Sequence, residues 1–206
     1  MSTHHTNSEG PTADEALARL IAGNERFVRG DALFQTAPRK LLSELARGQR
    51  PYATIIGCSD SRVPPELVFD VGFGELFVIR VAGNVIGPAV MGSLQYASVH
   101  LKTPLFVVMG HEGCGAVEAA LALRNQGASQ PSRIALLLDW IVPGLGAIDP
   151  SLPQDAQMAA GVEANVRWSI HQMLDTPEGQ ARMREGVLKL VGAVYELETG
   201  RVRFLP

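Results

Sequence analysis

Apolar residues recur at helical spacing over 12–29, where Leu17, Leu20, Ile21 and Phe27 share one face. Thr12 stands where an N-cap belongs, acidic residues fill the first turn, and Gly30-Asp31 follows the last, so a helix is predicted there. A second helix is predicted over 39–47, ending at Gly48. The pattern then changes to short continuous apolar runs at 53–56, 76–81 and 105–109, rich in β-branched residues and bounded by Gly and Pro. Such runs suit strands covered on both faces. Between the second and third runs, 88–101 reads as a helix with Pro88 at its start, and strand–helix–strand is the unit of a parallel sheet.

Beyond Gly115 a helix is predicted over 116–124, ended by Asn125-Gln126-Gly127, and a short helix precedes a Pro- and Gly-rich stretch at 143–153. A long amphipathic helix follows over 157–174, and Pro177 opens another. The tail alternates from Leu188 to Val194 and again at Val202 and Phe204, with Glu198-Thr199-Gly200 between, which reads as strand, turn and antiparallel strand. The fold class expected is α/β, with a mostly parallel central β-sheet, an antiparallel C-terminal strand and flanking helices. The segment 1–11 is read as a disordered tail and 12–206 as a single domain.

Composition narrows the partners. The 206 residues carry 18 Lys and Arg against 21 Asp and Glu, a net charge of −3, so there is no basic footprint for a nucleic acid. The longest apolar stretches, such as 134–138, are far too short to span a membrane. The N-terminus lacks the basic start and apolar middle of a signal peptide, and a cytoplasmic location is expected. In that compartment the two cysteines, Cys58 and Cys114, are read as buried thiols, metal ligands or catalytic groups before a disulfide.

Their surroundings bear on the choice. In open parallel sheets, ligand sites lie at the carboxyl ends of strands. The first predicted strand runs into Cys58-Ser59-Asp60-Ser61-Arg62, and the third into His111-Glu112-Gly113-Cys114. If these strands are neighbours, two thiols and an imidazole converge. That set suits zinc with one position of the tetrahedron open, the pattern of a catalytic site. His100 and His171 sit inside predicted helices and offer no obvious fourth ligand. Either half alone is equally what a buried cysteine at a strand end looks like. Asp60 and Arg62, two apart beside Cys58, add a reason: Arg62 keeps the carboxylate charged and fixed, and Asp60 accepts a hydrogen bond from a zinc-bound hydroxide.

The segments CSDSRVPPE at 58–66 and HEGCG at 111–115 resemble those of a β-class carbonic anhydrase. The similarity extends to ALARLIAGNERFVRG at 16–30, GELFVIRVAGN at 74–84, GSLQYASVHL at 92–101 and GAVYELETGRV at 192–202. The resemblance implies one zinc per chain held by Cys58, His111 and Cys114, with Asp60 and Arg62 as a catalytic dyad. It implies reversible hydration of CO₂ to bicarbonate and a proton by attack of zinc-bound hydroxide. It also implies a homodimer or a tetramer of paired dimers, with the first helix an arm whose apolar face, from Leu17 to Phe27, is buried on a partner. In some members the Asp replaces water on the metal, so Asp60 is a further candidate metal ligand, and activity is then expected to rise with pH.

Two departures qualify the resemblance. Members regulated by bicarbonate carry Trp three residues before the first Cys; here the position is Ile55, which argues against that regulation although Arg80 is present. Where many members have a substrate-contacting Gln, this chain has Val71 and Gly72, which implies a more apolar pocket walled by Val71, Gly83 and Asn84. Such a pocket also suits carbonyl sulfide or carbon disulfide, so hydrolysis of a CO₂-like sulfur compound at the same zinc is the alternative. A metal-free cysteine nucleophile leaves Cys114 and the Asp60–Arg62 pair unexplained, and a non-catalytic binding protein has no need of all five residues. Gly72-Phe73-Gly74 reads as a turn, Trp140 and Trp168 as helix packing residues, and Glu112 as solvent-facing.

Overall fold

The computed structural model of the chain describes residues 10–33, 38–184, 186 and 188–206, without the side chains of Glu178, Arg182 and Met183. Apart from Gly10 and Pro11, the expected disordered tail lies outside the described residues. Five strands form one sheet: β1 (Ala53–Gly57), β2 (Leu76–Arg80), β3 (Leu105–His111), β4 (Lys189–Tyr195) and β5 (Val202–Phe204), in the order β2-β1-β3-β4-β5. The first four run parallel and β5 turns back antiparallel on β4, as the apolar runs and the alternating tail predict. Every residue of β1 and β3 is buried, the consequence of helices on both faces of a parallel sheet. Edge strand β2 is only half-buried over Leu76–Ile79.

The topology sets the site. From β1 the chain moves outward to β2, then crosses back to β3 on the other side of β1, and continues outward to β4. The strand order therefore reverses between β1 and β3, and an open α/β sheet has its crevice at the carboxyl ends of the strands where that happens. Gly57 pairs with Met109, so the residues following β1 and those ending β3 rise side by side from this crevice.

The helices are α1 (Ala13–Arg29), α2 (Arg39–Leu45), α3 (Pro65–Val68), α4 (Pro88–Tyr96), α5 (Gly115–Gln126), α6 (Ser132–Leu138), α7 (Gln154–Leu174) and α8 (Pro177–Arg184). No described helix is long and apolar enough to cross a membrane. The N-terminus of α1 carries a full capping box, with the Thr12 side chain accepting from the Glu15 amide at 3.3 Å and the Glu15 carboxylate accepting from the Thr12 amide at 2.8 Å. Part of the apolar face of α1, expected to be left for a partner, is covered within the chain: Ala16 and Leu20 are buried and Leu17 and Phe27 pack against the core. Asn24 pins the helix by donating to Val68 O and Gly200 O and accepting from the Val202 amide.

Several boundaries move for local reasons. The helix predicted over 88–101 becomes α4 followed by a π-turn, Ala97–Leu101, closed by Lys102 in the left-handed region at φ 54°. The wider turn drops the chain toward β3, and just before that strand Thr103 shares a buried hydroxyl–hydroxyl bond with Thr54 of β1. Helix α7 starts three residues earlier than predicted, directly after Pro153. The short α3 was not predicted, although Pro65 at its first position is a start signal.

Candidate metal centre

Cys58 follows the last residue of β1, His111 ends β3, and Cys114 is the N-cap of α5. Gly113, at φ 59°, makes the tight turn that returns Cys114 toward His111. The two Sγ atoms and a ring nitrogen of His111 all lie within 4.8 Å of one another, and all three residues are buried.

The imidazole is oriented by its neighbour. His111 Nδ1 lies 2.8 Å from Glu112 O, and a carbonyl only accepts, so Nδ1 carries the hydrogen. Nε2 is the ring nitrogen that Glu112 leaves free to face the triad. It is buried without a hydrogen-bond partner. A buried polar atom left unsatisfied is costly, and this one belongs to the group that holds the two sulfurs. That observation, with the chemistry of an N,S₂ donor set, fits a bound zinc ion with one coordination position open.

The sulfurs are unequal. Cys58 is held as a thiolate, its pKa lowered to about 4 against the effect of burial, first by a hydrogen bond from Cys114, then by the neighbouring His111, and further by the backbone of Asp60 and the Gly83 amide, 3.3 Å from its Sγ. The Cys114 thiol is pushed up, chiefly because it gives its proton to that anion and secondarily by burial, while the Val117 and Ala116 amides at the start of α5 act the other way. The pair thus shares one proton at a point where a dication would replace it.

Asp60 stands beside this group rather than within it. Its Oδ1 accepts from Arg62 N and Nε, both at 2.9 Å, and its Oδ2 from Arg62 Nη2 at 2.7 Å. The same Oδ2 lies 3.9 Å from His111 Nε2, at the edge of the triad. The Arg62 hydrogen bonds hold the carboxyl well below the usual carboxylate range, so it is an anion at any physiological pH.

The remaining expected site residues divide. Gly83 meets the thiolate through its backbone, and Asn84 is buried behind it. Val71 donates its amide to Glu66 O and packs its side chain against the core. Glu112 is exposed, as expected, but its Oε2 also accepts from the Leu197 amide. Trp168 packs as a helix residue and donates through Nε1 to Trp140 O.

Sequence reasoning missed the work of Arg80, Asn165 and Ser169. Arg80 donates from Nε to Cys58 O at 2.9 Å and from Nη2 to Asp60 O at 2.5 Å, so it clamps the backbone that carries both residues. Asn165 and Ser169, on α7, bond to Gly83 and Asn84. Polar residues on the apolar stripe of an amphipathic helix were the available signal for the last two.

A family model described as carbonic anhydrase matches residues 53–202. The chain is 40% identical over 188 residues to carbonic anhydrase 2 of Mycobacterium tuberculosis, covering 90% of this chain and 89% of that protein. It is 37% identical over 195 residues to a carbonic anhydrase of Mycolicibacterium smegmatis, covering 91% and 90%. Among solved structures, the Coccomyxa β-carbonic anhydrase in complex with acetazolamide superposes with a TM-score of 0.74 at 30% identity, covering 92% of this chain and 86% of that one.

Proposed function

The chain belongs to the carbonic anhydrase family, in its β class, and from that premise we propose that it catalyses the reversible hydration of CO₂ to bicarbonate and a proton at a zinc ion held by Cys58, His111 and Cys114. The observation that carries the proposal is the unpartnered, buried Nε2 of His111 beside two sulfurs, with the Asp60 carboxylate 3.9 Å away. Zinc, when bound, supplies Lewis acidity that makes a nucleophile from water at neutral pH. Two thiolates neutralise much of the charge of such an ion, so the protein has to assist.

Asp60 gives that assistance. Its anionic carboxylate accepts a hydrogen bond from the attacking oxygen and turns that oxygen's lone pair toward the carbon of CO₂. Arg62 keeps Asp60 ionised and immobile through three hydrogen bonds, one from its backbone and two from its guanidinium, and further ties itself to Gly113 O. We assign Asp60 to this dyad in preference to the ligand set, because both its oxygens are engaged by Arg62. Gly83 and Asn84 form the wall beside Cys58. Bicarbonate then leaves, and the proton passes to solvent or buffer.

The same reading takes 12–206 as one domain, acting in the cytoplasm. It makes the protein a homodimer or a dimer of dimers, supported by the half-buried edge strand β2 and the exposed Tyr96 and Val99. Stopped-flow CO₂ hydration on zinc-counted protein, at alkaline and neutral pH, tests the reaction. Wild type is expected to hydrate CO₂ rapidly with about one zinc per chain. Asp60→Asn should retain the zinc and lose roughly 10²–10⁴-fold in rate. Full zinc without hydration at either pH overturns the reading and makes carbonyl sulfide and carbon disulfide the next substrates to try.

A further inference from the structure

Helix α7 buries two polar side chains where its packing against the sheet would favour apolar ones. Asn165 and Ser169, one turn apart, are each 1% exposed, among Val162, Val166 and Met173. Burying such groups is unfavourable unless they are hydrogen-bonded. Their partners all lie in one loop, which follows β2. Asn165 Nδ2 donates to Gly83 O at 2.8 Å. Ser169 Oγ accepts from Asn84 Nδ2 and donates to Asn84 O, both at 3.2 Å.

That loop is in an unusual conformation. Gly83 and Asn84 are consecutive left-handed residues, at φ 64° and 45°, and the second is not a glycine. The conformation aims the Gly83 amide at Cys58 Sγ, 3.3 Å away. Asn165 holds the carbonyl of the same residue whose amide holds the sulfur. A chain of two hydrogen bonds therefore runs from α7 to the thiolate, and Ser169 locks the next residue from both its side chain and its backbone.

We propose that Asn165, supported by Ser169, is a positioning residue for the metal centre. It fixes Gly83 so that its amide withdraws charge from the Cys58 thiolate and orients the sulfur toward the ion. The inference rests on the assignment of Cys58 as a zinc ligand and adds to it residues more than a hundred positions away. Outer partners of this kind set ligand orientation and electron donation, and their loss typically costs roughly 10–100-fold in metal affinity or activity.

The test uses the full chain, once with zinc and once with cobalt(II) in its place. The readouts are zinc affinity by competition with a chelator and the thiolate-to-cobalt charge-transfer band. Asn165→Leu keeps the four-atom branched shape of the side chain and removes the donor. It is expected to weaken zinc binding by about tenfold or more and to move the band to longer wavelength, because a thiolate relieved of a hydrogen bond gives up its electron more readily. Ser169→Ala, a milder change that leaves the Asn165 bond in place, should move both in the same direction by less. Met173→Ala truncates another buried residue of the same helix and should lower thermal stability without moving the band.

Wild-type affinity and band position in both Asn165→Leu and Ser169→Ala would overturn the inference, as would an equal band shift in Met173→Ala. A wild-type chain that takes up neither metal overturns the metal-centre reading and this inference with it. Normal metal uptake with the expected shifts, but no CO₂ hydration, overturns the proposed reaction alone and leaves the positioning role standing.

Discussion

Cys58 and the His111–Cys114 pair reach one point from neighbouring strands, but different forces hold them there. The turn after β3 is built mainly from its own sequence. His111 is oriented by the carbonyl of the next residue, Gly113 supplies the turn, and Cys114 caps the helix whose first amides approach its sulfur. The loop after β1 depends on distant residues. Arg80 from the end of β2 holds the Cys58 and Asp60 carbonyls, Gly83 holds the sulfur, and Asn165 from α7 holds Gly83. One arm is a local motif that carries its own geometry. The other is a short segment stretched over a site that the rest of the fold has to complete.

The largest expected effect ignores this difference. Cys58→Ala and Cys114→Ala each remove one of three donors, and both should abolish stoichiometric zinc and CO₂ hydration. Metal analysis of the purified variants checks it. Full zinc content in either one would remove that arm from the ligand set.

Arg80→Met separates the arms. It keeps the aliphatic reach of the side chain but loses the donors to Cys58 O and Asp60 O, while nothing in the turn after β3 is touched. The expected result is a loss of roughly 10–100-fold in zinc affinity or hydration rate. Glu112→Gln is the matching change on the other arm. Its Oε1 can still accept from the Leu197 amide, so affinity and rate should stay close to wild type. Equal losses in the two variants would erase the distinction between a supported loop and a self-sufficient turn.

The same contrast explains what was legible in the sequence. The strand runs, the helix caps at Thr12 and Gly30 and the antiparallel tail were readable because each is decided by neighbouring residues. So was the convergence of Cys58, His111 and Cys114 into a group able to hold a metal, because its chemistry sits in two short segments, each following a predicted strand. The supports of Cys58 were not readable. Arg80 looked like the end of a strand, and Asn165 and Ser169 looked like polar interruptions of an amphipathic helix. Their role exists only once the order β2-β1-β3 brings β2 and α7 beside the loop. The π-turn at 97–101 was missed for a related reason, since the tie of Thr103 to Thr54 is a tertiary contact that overrides helical propensity.

The smallest effect gives the sharpest comparison, because it places one substitution in one backbone conformation on each arm. Gly83 and Gly113 have nearly equal φ, 64° and 59°, so alanine meets similar backbone strain at both, about 1–2 kcal/mol. The surroundings differ. A Cβ on Gly83 would lie 2.7 Å from Ile141 Cδ1 and 3.0 Å from Ala116 Cβ, whereas on Gly113 its nearest neighbour is Leu197 Cδ1 at 3.8 Å, an ordinary contact. Relief at Gly83 has to come from the loop or from a rotation of the Ile141 side chain, which is fully buried and so has little room, while Ala116 belongs to α5. Overpacking of that kind adds about 1–3 kcal/mol. Urea unfolding of the zinc-bound proteins should therefore find Gly83→Ala less stable than Gly113→Ala by about 1–3 kcal/mol, which is the overpacking cost alone. Equal destabilisation would mean that the loop after β2, with the Ile141 side chain over it, yields as freely as the turn after β3.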